Sequence, residues 1–338
     1  MHQKSDIEKR CITILEKNGG NLAEEARTIL LEDPSLSNLR SPLEFIATNW
    51  RDPLTPSLMS LSCQAVGGRP EQTREAALAL SLMNLSFFIW DDIIDDVKTK
   101  LFKPTFFGKF GESTSIIMGG LISARAFSIL NQSNIEKPKR QVVSGLCWNL
   151  WASMAQAEMG LLMQQVKNSF GSEKKLWKIK TEAIDIETCM RIGAVLGDGS
   201  QNEIENLGRY GRCLGIILEL WKDFQISSNY TLELDEKIKN KTLPYSLLWA
   251  AERSRKLRET LDNWGKRVAG KFAIKKVVGY ALETGTLDNV KAIIKENVED
   301  ASSHLSKIDK CPATQTLLSF LEDQLALFSE SFSILMEQ

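Results

Sequence analysis

Apolar residues recur at helical spacing along most of the chain, and little of the sequence alternates in the way that a half-buried strand would. Glycine and proline clusters at 18–21 and 51–57 mark positions where helices are expected to end. The apolar segments predict helices near residues 5–17, 21–32, 42–50, 72–98, 111–131, 138–168, 176–198, 201–227, 244–262, 266–283, 286–308 and 313–336. Because no repeat or linker divides the chain, residues 1–338 are predicted to form a single all-α domain, a helical bundle with a central site.

The charge balance and the cysteines limit where such a chain would act. Lys and Arg (42) nearly equal Asp and Glu (43), so no general attraction to nucleic acid is expected. Six scattered cysteines without a C-x-x-C pair indicate buried free thiols in a reducing compartment. The N-terminus lacks the apolar stretch of a signal peptide, and no window approaches the roughly 18 apolar residues of a membrane span. We therefore expect a cytoplasmic protein without a transmembrane segment.

Histidine chemistry is largely excluded by composition. The only two histidines, His2 and His304, lie near the chain ends. A histidine-based triad or a histidine-ligated metal is therefore not expected. Any catalysis must rely on carboxylates, lysines or a hard metal ion.

Aspartates are concentrated in the stretch SFFIWDDIIDD, directly after an apolar run. On a helix Asp91 and Asp95 share one face, and Asp92 is a near neighbour of Asp95. These carboxylates would repel one another unless a cation lies between them, and Mg²⁺ prefers such oxygen ligands and is often shared with substrate phosphates. The alternatives are a solvated acidic face, which the flanking apolar residues disfavour, and calcium, for which no Gly-containing Asp loop is present.

Five stretches occur together in one order: DDIID, KPT at 103–105, RIGAVLGD at 191–198, GRYGRCLG at 208–215 and KTLPYSLL at 241–248. In this set the chain resembles the all-trans isoprenyl diphosphate synthases and their class I terpenoid relatives. The resemblance implies an all-α bundle, in which two facing helices hold up to three Mg²⁺ ions against an allylic prenyl diphosphate. It also implies a homodimer. Asp91, Asp92 and Asp95 would be catalytic metal ligands that draw off pyrophosphate and leave a carbocation in an apolar cavity.

Aromatic residues precede the aspartates, and the resemblance suggests a use for them. A carbocation must be kept from water, and Phe87 and Trp90 are candidates for binding the prenyl group. Residues four and five positions before the first aspartate help to limit chain length in the family. Here they are Phe87 and Ser86, which favours a short or medium prenyl chain.

The second aspartate-rich motif of the family, F-Q-x-x-D-D-x-x-D, is altered in this chain. Lys222, Asp223 and Ile226 stand at its three aspartates, and Glu219 stands at its glutamine. Glu219, Asp223 and Ser227 are spaced four apart and form one stripe, which could still hold a metal. Lys222 either places an ammonium group where a metal would lie or is a solvated surface lysine.

Positions that bind isopentenyl diphosphate in the family are also changed. Asn38 and Leu39 replace its basic pair, Asn84 replaces its upstream histidine, and Leu101 replaces its second arginine, while Arg40 lies one position out of register. A desolvated diphosphate needs fixed cationic partners. We therefore expect that isopentenyl diphosphate is not the acceptor.

Candidate cations for the donor diphosphate are better preserved. Lys100 stands where the family has its first arginine, and Lys180 and Lys241 lie near two of its conserved lysines. Lys103 of KPT and Arg212 of GRCLG are further candidates within the matched motifs. Each of these side chains could instead be solvated.

Three functions remain open. The first is a prenyltransferase that passes the prenyl group to an acceptor other than isopentenyl diphosphate, and the second is a terpene synthase, in which the cation reacts with its own double bonds or with water. Trp148, Trp151, Trp221 and Trp249 could line either kind of pocket. The third is a non-catalytic subunit of a heteromeric synthase, which the intact aspartate cluster disfavours.

Overall fold

The computed structural model describes residues 6–100, 103–165, 171–228, 234, 237–238, 242–264 and 271–336. The helices are α1 Asp6–Gly19, α2 Leu22–Leu31, α3 Arg40–Asn49, α4 Leu54–Ala65, α5 Arg74–Ile94, α6 Phe106–Phe110, α7 Glu112–Gln132, α8 Lys137–Gln165, α9 Ser172–Glu182, α10 Ile184–Leu196, α11 Gln201–Ser228, α12 Tyr245–Arg253, α13 Arg255–Asp262, α14 Lys271–Leu282, α15 Thr286–Leu305 and α16 Pro312–Met336. The expected all-α fold is confirmed.

Several boundaries differ from the predicted ones. The predicted helix 176–198 is two helices, α9 and α10, which meet at Ala183, and the predicted helix 244–262 is broken at Ser254, whose backbone is extended. The short helix α6 and the whole of α4 were not predicted. Almost all of α4 is buried, including Thr55, Ser57 and Ser62, so it lacks the polar face by which a helix is recognised in a sequence.

Small residues allow α4 to pack closely against α10. The Ser62 hydroxyl donates to the Met190 carbonyl at 2.6 Å, which joins the two helices directly. At Gly193 of α10, a Cβ atom would lie 2.3 Å from the Met59 carbonyl oxygen. The main core extends from this contact through α5, α7, α11 and α15, and a smaller cluster joins α12, α13 and α14.

The chain turns back after α5 and forms a two-stranded hairpin. Asp96 has a φ of 49°, and the Val97 N–H donates to the Asp92 carbonyl at 2.9 Å. The antiparallel strands β1 Thr99–Lys100 and β2 Lys103–Pro104 follow. This turn brings Lys100 back beside the end of α5.

The cysteines and two long apolar helices can be compared with the predicted free thiols and the predicted absence of a membrane-spanning segment. All six cysteines are unpaired and five are buried, as expected. By length and composition, Pro70–Ile94 (the 3₁₀ helix Pro70–Thr73 followed by α5) and Glu112–Gln132 (α7) could each cross a membrane, whereas no such segment was expected. The apolar window is 67% buried in the first and 39% buried in the second, and core helices of this kind meet the same criteria.

We expect Gly193→Ala to lower the free energy of unfolding by about 1–3 kcal/mol, because the added methyl group meets backbone rather than a mobile side chain. Chemical denaturation would measure the change. Gly145→Ala in α8 is the matched control, since its Cβ would enter open space and alanine favours a helix. Equal stability of the two variants would contradict the close packing of α4 on α10.

Candidate active site

Two adjoining cavities lie where α5, α8, α9 and α11 converge. The larger, which we call the apolar cavity, has a volume of about 300 Å³ and walls that include Phe87, Phe88, Trp90, Trp151, Met154 and Leu162. The smaller, which we call the charged compartment, has a volume of about 50 Å³. Its acids are Asp91, Asp95, Glu182, Glu219 and Asp223, and its lysines are Lys100, Lys175, Lys178, Lys222 and Lys237. Asp91, Glu182, Glu219 and Lys222 line both spaces.

Asp91 and Asp92 of α5, and Asp95 directly after it, are each paired with a lysine from a different part of the chain. The Lys178 ammonium lies 3.7 Å from Asp91, the Lys237 ammonium lies 2.9 Å from Asp95, and Lys100 of the hairpin lies 2.5 Å from Asp92. Asp91 and Asp95 both line the charged compartment, as the helical period predicts. Asp92 is buried and lines neither cavity.

Lys178 lies at the centre of a cluster of three acidic side chains that the sequence did not indicate. Its side chain is 3% exposed, and its ammonium lies 2.7 Å from Glu158, 3.3 Å from Glu182 and 3.7 Å from Asp91. One oxygen from each of these acids lies within 4.8 Å of the others, a spacing that suits a metal ion. Oxygen-only ligands fit a hard divalent cation, so these residues fit Mg²⁺ if Lys178 yields its place.

Burial and the lysines set the protonation of the acids. Burial opposes ionisation of Asp91, but the surrounding ammonium groups, Lys178 foremost, outweigh it and lower the pKa of Asp91. Burial raises the pKa of Glu182 to about 7, although Lys178 opposes the shift, and raises the pKa of Glu158 as well. Burial, and then the nearby carboxylate of Glu219, raise the pKa of Asp185 to about 8. Asp91, whose pKa is lowered, thus lines the same cavity as Glu182 and Asp185, whose pKa values are raised.

The helix that carries the altered second motif contributes differently. Glu219 is 3.5 Å from the Lys222 ammonium, which lies 5.6 Å from the centre of the Phe88 ring. Asp223 is buried and accepts a hydrogen bond from the Tyr245 N–H at 2.7 Å, so it caps the start of α12. Burial raises the pKa of Asp223. The Ser227 side chain lies outside the described residues.

The lysines that line the site are only partly those that the sequence predicted. Lys100 and Lys222 line the charged compartment, and the Lys222 side chain is 49% exposed. The structure does not bring Lys180 there. Residues 175, 178 and 182 of α9 face the site at helical spacing, which leaves Lys180 exposed on the opposite side. Lys175, Lys178 and Lys237 are present instead.

Three other expected donor contacts lie elsewhere. Lys103 is exposed on β2, away from both cavities, because its strand faces solvent. Arg212 lies two turns before Glu219 on α11, where it pairs with Glu187 at 3.2 Å. Lys241 lies outside the described residues. Lys237, four positions earlier, is buried against Asp95.

Aromatic rings form one wall of the apolar cavity. The Trp151 ring centre is 4.6 Å from that of Phe87 and 5.2 Å from that of Trp90. Phe87 and Trp90, the candidates for binding the prenyl group, both line this cavity. Among the four tryptophans considered, only Trp151 lines this cavity; Trp148 is 68% exposed, Trp221 packs on Phe328, and Trp249 lies against Arg253.

The positions that bind isopentenyl diphosphate in the family show little positive charge here. Asn84 is buried and lines the apolar cavity, and its amide donates to the Thr55 hydroxyl at 3.1 Å. Arg40 is exposed and pairs with Glu44 at 2.8 Å. Leu101 lies outside the described residues. The charged side chains lining the cavity are five acids and one lysine, namely Asp91, Glu158, Glu182, Asp185, Glu219 and Lys222.

We expect Asp185→Asn to flatten the dependence of stability on pH. The unfolded Asp185 carboxyl ionises near pH 4, whereas the folded one keeps its proton until about pH 8. Between these values the folded state binds more protons, so its stability falls as the pH rises. The amide cannot ionise, so the melting temperature should fall less between pH 5 and pH 8 in the variant than in the wild type, both measured in metal-free buffer. An equal fall in the two proteins would rule out this protonation.

Sequence comparison places the site in a known group of proteins. The model of the family described as Polyprenyl synthetase matches residues 51–268, more than half of the chain. The chain is 27% identical over 308 residues to a short chain isoprenyl diphosphate synthase of Methanothermobacter thermautotrophicus, covering 88% of this chain and 92% of that protein. It is also 27% identical over 226 residues to the chloroplastic geranylgeranyl pyrophosphate synthase 12 of Arabidopsis thaliana, and the match spans 61% of that relative's length.

Solved structures share the fold. The geranylgeranyl pyrophosphate synthetase of Pyrococcus horikoshii superposes with a TM-score of 0.80 at 20% identity, covering 95% of this chain and 99% of that one. A polyprenyl synthase of Caulobacter crescentus, complexed with calcium and isoprenyl diphosphate, superposes with a TM-score of 0.81 at 16% identity, covering 96% and 99%. The chain therefore belongs to the polyprenyl synthetase family.

Proposed function

We propose that this protein is a Mg²⁺-dependent prenyltransferase that ionises an allylic all-trans prenyl diphosphate and transfers the prenyl group to an acceptor other than isopentenyl diphosphate. The observation that carries the proposal is the division of the site. A lysine-rich charged compartment adjoins an apolar cavity, and four residues line both. A donor bound across this boundary would keep its diphosphate among charges and its prenyl chain among aromatic rings.

The charged compartment suits the donor diphosphate. Five lysines reach it from α9, α11, the hairpin and the segment at Lys237. Mg²⁺ held by Asp91 with Glu158 and Glu182, and next to Asp95, would neutralise the charge that develops on the leaving diphosphate. Lys178 would then turn from these acids towards a phosphate oxygen, since an ammonium is a good partner for either anion.

The chemistry then takes place at the boundary between the two spaces. The bond between the allylic carbon and the diphosphate oxygen breaks, and its electron pair leaves with the diphosphate. An electron pair of the acceptor forms the new bond to that carbon, and the acceptor releases a proton. Phe87, Trp90 and Trp151 exclude water from the carbocation, and the faces of their rings stabilise positive charge.

Electrostatics argue against a second diphosphate as the acceptor. Five acids and one lysine line the apolar cavity, and that lysine is already near Glu219. A desolvated diphosphate in this space would lack fixed cationic partners. An uncharged acceptor avoids this cost. Several relatives are named geranylgeranyl synthases, so chain elongation with isopentenyl diphosphate is the outcome that would contradict the proposal most directly.

The aromatic wall also supports a second candidate, a terpene synthase. Three rings in mutual contact beside the charged compartment could stabilise a cation while it reacts with its own double bonds. A non-catalytic subunit is disfavoured, because so many buried charges would have no use there. One relative is nevertheless named as the large subunit of a heterodimeric synthase, at 26% identity.

Further parts of the proposal rest on the resemblance and on composition. We propose up to three Mg²⁺ ions, although Asp223 is engaged with the α12 backbone, so Glu219 and Ser227 would have to supply much of the second set. We also propose one domain over residues 1–338 and a homodimer. Six unpaired cysteines support a cytoplasmic setting, because disulfides are rare in reducing compartments.

Product analysis by mass spectrometry tests the function. Allylic prenyl diphosphates of increasing length are incubated with Mg²⁺, first alone, then with isopentenyl diphosphate, and then with uncharged alcohols and phenols. A prenylated alcohol or phenol is the expected product. A hydrocarbon or terpene alcohol from the donor alone would identify a terpene synthase, and a lengthened diphosphate would overturn our acceptor assignment.

Asp91→Asn and Asp95→Asn should each slow pyrophosphate release at least about 100-fold, because each removes a charge that would bind metal beside the diphosphate. Circular dichroism should show unchanged helix content. Asp96→Asn is the matched control: its side chain is exposed beside Lys98, and asparagine tolerates its positive φ. Full turnover in both site variants would refute the metal assignment.

Lys178→Met should make the protein depend on a divalent cation for stability. Without the ammonium, Asp91, Glu158 and Glu182 repel one another, so the melting temperature without metal should fall and Mg²⁺ should raise it more than in the wild type. Differential scanning calorimetry with and without Mg²⁺ measures both effects. Lys180→Met, two residues along the same helix and exposed, should behave as the wild type. Identical responses of the two variants to Mg²⁺ would exclude Asp91, Glu158 and Glu182 as a metal site.

A further inference from the structure

Two adjacent glycines lie within helix α7, and only one of them has a close packing contact. Glycine is less favourable than alanine inside a helix, so each of the two positions carries a cost. Gly120 is exposed, and a Cβ atom there would meet nothing within 4 Å. Gly119 is buried, and a Cβ atom there would lie 2.7 Å from Cε2 of the Trp90 ring and closer still to its Nε1. Any larger residue at position 119 would therefore displace Trp90.

The Trp90 ring lies between α7 and the apolar cavity. One side of the ring packs against the α7 backbone at Gly119, and Trp90 also lines the cavity. The ring of Trp151 from α8, which lines the cavity as well, has its centre 5.2 Å from that of Trp90. Because helix backbone lies behind it, a Trp90 ring pushed away from α7 moves towards Trp151 and the cavity.

The neighbouring rings leave little room to absorb such a movement. The Trp151 ring centre lies 4.6 Å from that of Phe87 on α5 and 6.4 Å from that of Phe127 on α7. The aromatic wall is thus built from three helices, with Trp151 in contact with each of the other rings. Since protein interiors are close-packed, a displaced Trp90 ring takes its space from the cavity.

The Trp90 ring lies one helical turn away from the acids of the site. Side chains of a helix point back towards its N-terminus, so the Trp90 ring covers the turn that carries Phe87 rather than that of Asp91. The contact of the Trp151 ring with both Trp90 and Phe87 agrees with this direction. Trp151 itself lies seven residues before Glu158, which is about 10 Å along α8. A donor with its diphosphate near Asp91 and Glu158 would therefore extend its prenyl chain alongside these rings.

We propose that Gly119 limits the length of the prenyl donor. Because residue 119 has no side chain, the Trp90 ring lies against α7, and the apolar cavity keeps the space that the ring would otherwise fill. A larger residue at position 119 would push the ring into that space and shorten the chain that fits. The identity of the ligand as a prenyl donor rests on the proposed function, whereas the effect of Gly119 on the cavity does not.

This inference moves part of the control of chain length from α5 to α7. The sequence led us to expect that control at Phe87 and Ser86. Phe87 lines the cavity, but Ser86 is fully buried, does not line it, and donates its hydroxyl to the Leu82 carbonyl at 3.1 Å. Gly119 acts from behind the wall, through the position of Trp90.

Calorimetric titration of the full chain tests the proposal with two series of probes. Geraniol, farnesol and geranylgeraniol, which contain two, three and four isoprene units, are titrated without metal and probe the cavity alone. The corresponding thiodiphosphates, which resist ionisation, are titrated with Mg²⁺ and probe donor binding. Gly119→Ala should bind farnesol at least about tenfold more weakly than the wild type, with a smaller effect on geraniol, because a single methylene group in an apolar pocket has an effect of this size.

Gly120→Ala is the matched control, since it adds the same methyl group one residue further along α7, where it meets open space. It should keep the wild-type affinity for both alcohols. Adding Trp90→Leu to Gly119→Ala removes the displaced ring and should restore farnesol binding. Trp90→Leu alone should strengthen the binding of geranylgeraniol, which decides the matter if Gly119→Ala does not fold.

Three results would overturn the proposal. They are an unchanged affinity of Gly119→Ala for farnesol, an equal loss in Gly120→Ala, and a double variant that does not recover. Failure of the wild type to bind any of the alcohols would also count against it, because the cavity would then take no prenyl chain.

The two series of probes separate this inference from the proposed function. Alcohol binding that depends on chain length as expected, without any binding of the thiodiphosphates in Mg²⁺, would leave the role of Gly119 standing and remove the proposed donor. Binding of the thiodiphosphates with the same length preference in Gly119→Ala as in the wild type would do the reverse.

Discussion

Carboxylates that face one another inside a helical bundle must be neutralised, and most of the site can be understood from that requirement. Asp91, Glu158 and Glu182 come from three different helices and would repel one another at the distances observed. The ammonium of Lys178, almost wholly buried, contacts all three. Burial would lower the pKa of Lys178, but the surrounding acids, Glu182 foremost, outweigh it and raise that pKa, so the lysine stays charged. Removing either sign of charge would leave the other uncompensated.

The same requirement divides the space at the site in two. In the charged compartment, the lysines can pair with a diphosphate and the acids can bind its metal, and both kinds of group are already present. Beyond Asp91, the facing sides of α5 and α8 present aromatic rings and methionine, and the acids that remain there, such as Asp185, have raised pKa values. A bond broken at the boundary leaves each fragment in a suitable environment, with the anion among cations and the carbocation among rings.

Departures from the family pattern become interpretable through their contacts. Asp223 survives from the second motif, yet its carboxylate is engaged by the start of α12. Lys222, at the position of a family aspartate, reaches both cavities and lies over Phe88. Asn84, at the position of the family histidine, is an uncharged residue that lines the apolar cavity and donates to Thr55. These contacts are the basis of the proposed function, in which the donor diphosphate is retained and the acceptor is uncharged.

Local periodicity is what the sequence alone determined: the all-α fold, the shared face of Asp91 and Asp95, and the aromatic residues beside them all follow from 3.6 residues per turn. It missed α4, because a helix buried on every side has no polar face. Only the tertiary structure decided that α9 presents Lys178 rather than Lys180, that Glu158 of α8 joins Asp91, and that Trp151 lines the same cavity as Phe87. These contacts join helices far apart in the chain, and the rotation of one helix against another is set by packing rather than by local sequence.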